Sequence, residues 1–179
     1  MNRSAVRYIE SQRLYLIPAT LSLTEADLAG RRQLGETLGA DVPDNWPPPH
    51  YGRAALEYVR AQLNDAVGQG WSTWYLLSRA EPQQLLGVCG FKGRPDRLGS
   101  VEISYALLAQ HQGQGLATEA VIRLVDWAFA HPGVVEVTAE TLPHLRQSIR
   151  VLEKAGFQRA GAGSEYGVIR FALKRARQY

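Results

Sequence analysis

The segment QHQGQGLATEA, Gln110 to Ala120, stands between an alternating apolar run, VEISYALLA (Val101–Ala109), and a run with helical spacing, AVIRLVDWAFA (Ala120–Ala130). A strand that ends where a helix begins presents unpaired N–H groups and about half a positive charge. Such a junction is a socket for phosphate oxygens, provided that side chains are small enough for an anion to reach the backbone. Gly113, Gly115 and Ala117 meet that condition, and Thr118 adds a hydroxyl. The same glycines also suit a tight strand-to-helix connection, and spacing alone leaves both uses open.

Working outward, RLYLIPA (Arg13–Ala19) alternates like a strand, and Ser22 with Glu25 forms a capping box for a helix running to about Leu38. The prolines of DVPDNWPPPHYG (Asp41–Gly52) exclude regular structure there. In RAALEYVRAQLNDAV, Leu56, Val59, Leu63 and Val67 fall on one helical stripe. WSTWYLLSR and QLLGVCGFK read as a hairpin, and GRPDRLG leads from it into VEISYALLA. Next come a helix that Pro132 stops, the strand VVEVTAET, a helix closed by Gly156, and two strands around a Gly-rich turn. The order β-α-α-β-β-β-α-β-α-β-β predicts a mixed α/β (α+β) fold. Its sheet is mostly antiparallel with a central parallel β-α-β unit.

The 179 residues fit one domain, 1–179. No apolar run approaches the roughly 20 residues that cross a bilayer, and MNRSAVRYIESQR lacks a signal-peptide core. A single cysteine, Cys89, excludes an internal disulfide and reads as a small buried apolar residue. A reducing, cytoplasmic setting is therefore expected. Net charge is +3, but basic residues are interleaved with acids everywhere except the tail KRARQY, so neither nucleic acid nor a membrane surface is expected as partner. His50, His111, His131 and His144 show no ligand spacing, and no metal is expected.

Two phosphate-binding designs compete for the junction. Gly113-Gln-Gly115-Leu-Ala-Thr118 partly matches the dinucleotide fingerprint, with Glu136 about 20 residues on as a ribose ligand, but the third glycine is missing. The preceding strands also arrive as hairpins, where a Rossmann sheet needs repeated β-α-β units. Gln112-Gly-Gln-Gly115-Leu-Ala117 resembles motif A, R/Q-x-x-G-x-G/A, of the GNAT superfamily of N-acetyltransferases. The element order agrees across nearly the whole chain. VEISYALLAQHQGQGLATEAV and SIRVLEKAGF (Ser148–Phe157) are similar to the ribosomal-protein N-terminal acetyltransferase branch.

That resemblance implies acetyl-CoA as cosubstrate and acetyl transfer to a primary amine by direct attack on the thioester. It implies main-chain contacts from Leu107, Leu108 and Ala109, where the strand splays from the next parallel one and pairs with the pantetheine arm. Gln112, Gly113, Gln114, Gly115, Leu116, Ala117 and Thr118 would hold the pyrophosphate. Ser148 matches a serine that lies close to the coenzyme's sulfur, where it would contact the cofactor and aid the departing thiolate; the alternative is a plain helix serine. Three departures weigh on copied roles. Leu145 replaces the asparagine of N-x-x-S, and Leu152 stands where many members place an acid tyrosine; Ser104 also replaces the glycine of I-G-Y.

An amine must lose a proton before or during attack, so a carboxylate in reach is useful. Glu102 is the candidate: alternation puts it with Ser104 and Ala106 on one face of the strand, Val101, Ile103 and Tyr105 on the other. The alternative is a structural carboxylate paired with an arginine. Trp46, Tyr51 and Glu165 are candidates for walling the acceptor, a small-molecule amine or a protein N-terminus, although Trp46 also suits a proline-braced loop packed on the core. A homodimer is common in the branch. The departures at Leu145 and Leu152 also suit an acyl-CoA-binding sensor that has lost turnover.

Overall fold

In a computed structural model the described residues are 8–64 and 68–176. Val67, the first seven residues and the end of the basic tail lie outside them. The chain forms β1 (Ile9–Glu10), β2 (Leu14–Pro18), α1 (Leu21–Ala29), α2 (Arg31–Leu38), α3 (Arg53–Leu63), β3 (Thr73–Ser78), β4 (Leu85–Phe91) and β5 (Ser100–Leu107). It continues through α4 (Leu116–Phe129), β6 (Glu136–Thr141), α5 (Arg146–Lys154), β7 (Gln158–Ala162) and β8 (Ile169–Lys174). The strands make one sheet in the order β1-β2-β3-β4-β5-β6-β8-β7. Among the described strands only the β5–β6 pair is parallel. This is the expected fold class, with α4 as the crossover of the parallel unit.

Three local expectations change. Thr20, not Ser22, caps α1, its hydroxyl accepting from the Leu23 amide at 3.2 Å; Ser22 lies within the helix. The helix expected to reach Leu38 breaks at Gly30, whose φ of 129° ends α1 and starts α2. The short β1, two residues long, escapes a periodicity reading altogether.

Alternation along the strands feeds two cores. On one face Leu14, Leu16, Leu76, Val101, Ile103, Val137 and Phe171 meet the apolar stripe of α4 and Leu152 of α5. On the other, Tyr75, Leu77, Val88 and Leu108 meet α1–α3. The α1–α3 cover stops near β5, so the corresponding face of β6 and β8 carries polar side chains: Glu136 and Glu140 on β6, Arg170 on β8. Cys89 is buried in the first core.

Candidate active site

Antiparallel pairing binds β5 to β4 as far as Leu107, opposite Gly87. Its pairing with β6 covers only Ser100 to Glu102, opposite Glu136 to Thr138. From there each strand follows its other neighbour, β6 staying with β8 as far as Thr141. The result is a wedge-shaped gap opening at Ile103, nearer the strand's start than Leu107–Ala109. The Lys92 amide donates to the Glu102 carbonyl at 2.9 Å and the Leu108 amide to the Leu86 carbonyl at 3.0 Å. By alternation the main-chain groups of Tyr105 and Leu107 therefore face the gap. Of the three residues expected to pair with a ligand, Leu107 faces it, Leu108 turns back to β4, and Ala109 begins a 3₁₀ turn.

At the wide end of the gap sits the motif turn. Gly113 and Gly115 adopt φ of 72° and 79°, a region that costs other residues roughly 1–2 kcal/mol. A Cβ at Gly113 would meet nothing within 4 Å, so that position is open as well as left-handed. Gly115 is the N-cap of α4 and brings no capping side chain, which leaves the first-turn amides available. Leu116 and Ala117 bury their side chains in the core, so they can offer a ligand only their main chain. Thr118 is half-buried on the same turn. The Gln112 amide group donates to the Leu107 carbonyl at 3.0 Å and that of Gln114 to the Gln110 carbonyl at 2.9 Å, bracing the turn.

Arg13, which sequence reasoning passed over, fixes the turn from outside. Its Nη1 donates to the Gln114 carbonyl at 2.8 Å, while its backbone amide and Nε each donate to Glu119 at 2.7 Å. Ser11 also donates to Glu119, at 2.6 Å. Partial burial works to raise the Glu119 carboxyl; these donors and the guanidinium charge outweigh it and hold the group below its usual range.

The two faces of β5 carry different chemistry at the gap. On the α4–α5 side, the Tyr105 hydroxyl lies 3.1 Å from both the carbonyl and the hydroxyl oxygen of Ser148. Burial lifts the Tyr105 phenol to about 12, outweighing the lowering effect of Ser148. On the opposite face Glu102, 27% exposed, is ion-paired with Lys92 rather than with an arginine. Tyr105 and Lys92 were both missed as site residues. Alternation gave Tyr105 its face, but only the packing of α5 brings a serine to it.

Trp46 and Tyr51 are 7% and 6% exposed and sit within the second core. The Trp46 indole donates to Asp27 Oδ1 at 2.8 Å and the Tyr75 hydroxyl to Oδ2 at 3.0 Å. Burial still raises the Asp27 carboxyl, the two donors opposing it. The loop reaches the motif through another residue, Asn45, whose side chain exchanges hydrogen bonds of 2.9 and 3.2 Å with Gln110. Glu165 is exposed in the β7–β8 turn, whose Ser164 donates to Glu140 through its amide at 2.8 Å and its hydroxyl at 2.6 Å. No helix among the described residues is long and apolar enough to cross a membrane.

Residues 13–158 match the family model described as an acetyltransferase (GNAT) domain. The chain is 27% identical over 158 residues to an uncharacterized N-acetyltransferase, YjdG, of Bacillus subtilis (strain 168), covering 88% of this chain and 94% of that protein. Among solved structures it is similar to RimL, a ribosomal L7/L12 alpha-N-protein acetyltransferase in its apo form. There the TM-score is 0.68 and the identity 16%, over 98% of each chain. It is also similar to the Microcin C7 self immunity acetyltransferase MccE in complex with acetyl-CoA and AMP, with a TM-score of 0.63 and 16% identity over 92% and 94% of the two chains.

Proposed function

The chain belongs to the GNAT acetyltransferase family, and from that premise we propose that it works as one acyltransferase domain that moves an acetyl group from acetyl-CoA to a primary amine. The observation that carries this reading is the gap between β5 and β6, closed at Glu102 and Thr138 and ending beside the uncapped start of α4. Main-chain amides around Gly113–Thr118 hold the pyrophosphate, and the gap-facing groups of Tyr105 and Leu107 pair with the pantetheine arm as a short added strand. The fit rests on the open left-handed turn and on donors that no side chain among the described residues caps.

The amine approaches on the Glu102 face, and Glu102 takes its proton, directly or through water, as the nitrogen attacks the thioester carbon. On the other face Ser148 points its hydroxyl at the leaving sulfur. Tyr105 can donate its single proton to the Ser148 oxygen, which leaves the serine proton free for the sulfur. Giving up the phenol proton outright is disfavoured: from about 12 to a thiol near 8.5 costs roughly 5 kcal/mol. Tyr105 thus acts as a hydrogen-bond donor and positioning residue. The acceptor is a small-molecule amine or a protein N-terminus, as the name of RimL indicates for that neighbour.

Calorimetry with coenzyme A, followed by a thiol-release assay over a panel of amines and N-terminal peptides, tests the reading. Binding with amine-dependent release is the expected result. Absence of binding overturns it. Binding without release from any amine replaces it with an acyl-CoA sensor, for which Leu152, fully buried where many relatives carry a tyrosine, is the favouring feature.

A further inference from the structure

We infer that Lys92 is itself an acetyl acceptor, a self-modification site at the mouth of the active site. This rests on the proposed acetyl transfer. Lys92 directly follows β4 and lies across the ladder from Glu102, joined by the amide-to-carbonyl bond of 2.9 Å. Its ammonium contacts Glu102 Oε1 while the side chain remains 53% exposed. The Tyr58 hydroxyl donates to its carbonyl at 3.4 Å, tying this strand end to α3. Glu102 is the last residue of β5 paired with β6, so it marks the closed end of the gap. A primary amine on that carboxylate, at that place, is in the arrangement the acceptor must reach. The chain's other lysines, Lys154 and Lys174, are exposed at the ends of α5 and β8.

The step balances without a further reactant. Glu102 accepts one proton from the Lys92 ammonium, and the freed Nζ lone pair attacks the thioester carbonyl carbon. The carbon–sulfur bond breaks with its electron pair going to sulfur. The nitrogen loses two protons to solvent, the first through Glu102, while the sulfur takes one from the Ser148 hydroxyl, which solvent restores, so one proton is released in all. The product amide carries no charge, so the ion pair is lost and Glu102 is left to face an external amine.

The test incubates the purified full chain with acetyl-CoA and follows each lysine by peptide mass spectrometry. Lys154 and Lys174 report uncatalysed acetylation in the same tube. Lys92 is expected to be modified roughly tenfold faster or more, as for an intramolecular reaction. The rate should not depend on protein concentration, and Glu102→Gln should bring Lys92 down to the pace of the other two. Equal rates at all three lysines of the unmodified protein, with coenzyme binding and amine-dependent release intact, overturn this inference alone. Loss of coenzyme binding overturns it together with the reading beneath it.

Discussion

The Tyr105 hydroxyl meets both the carbonyl and the hydroxyl oxygen of Ser148, and the hydroxyl contact sets what substitution should do. If the phenol orients the serine, Tyr105→Phe lowers kcat about fivefold, the worth of one neutral hydrogen bond of about 1 kcal/mol, with little change in coenzyme affinity. Ser148→Ala should cost a similar factor, and the double variant should be no slower than the slower single one. Steady-state kinetics of the four proteins, with calorimetry for coenzyme A, check the cycle; independent, multiplying losses would reject the pairing. Glu102 and Ser148 were legible as candidates because a carboxylate on a strand and a serine in a signature are visible in one dimension. Tyr105 was not, since its partner arrives from 43 residues away. Trp46 was open to two readings, acceptor wall or indole packed on the core, and its burial is what the fold adds. A proline-rich loop reads as surface, whereas Asp27 and Tyr75 draw the indole into the core.

At the level of elements, the start of α4 depends on two glycines in front and one clamp behind. Gly113→Ala places a Cβ in free space but in an unfavourable backbone region, so it should cost about 1 kcal/mol and lower Tm by about 2–4 °C. Relaxation of the turn should weaken coenzyme A binding; thermal unfolding and calorimetry read the two effects separately. The clamp has a pH signature. Glu119 is held below its unfolded value of 4.5, so its contribution is fully present above that pH and is lost as pH falls through the lower folded value. Wild type and Glu119→Gln should therefore differ in stability at pH 7 and converge below about pH 4.5, as denaturant melts across that range would show. Sequence periodicity located the body of α4, from Ala120 onward, because its apolar stripe is long. It ran α1 and α2 together because Gly30 is tolerated in a helical pattern until its actual φ is seen.

Across the molecule, the sheet is a continuous antiparallel half and a second half that turns away at one parallel seam. Alternation and element order were enough to read the class of fold. That the seam parts was supplied only by family likeness, which set the parting at Leu107–Ala109 and not at Ile103, since strand periodicity contains nothing about where two neighbours separate; that depends on β6 keeping its ladder to β8. Hydrogen exchange offers a direct check. Without coenzyme, the Tyr105 and Leu107 amides, which face the gap, should exchange faster than those of Ser104 and Ala106, which face β4. Coenzyme A should slow the first pair selectively. Uniform protection along β5, unchanged by the coenzyme, would mean that the seam does not receive it.

Glu102 and the Tyr105–Ser148 pair stand on opposite sides of one strand. In the proposed reaction, the hydrogen ion stripped from the nitrogen and the one delivered to sulfur then have no common carrier. Each turnover releases acid on one bank of the sheet and draws it from the other, with bulk water closing the circuit.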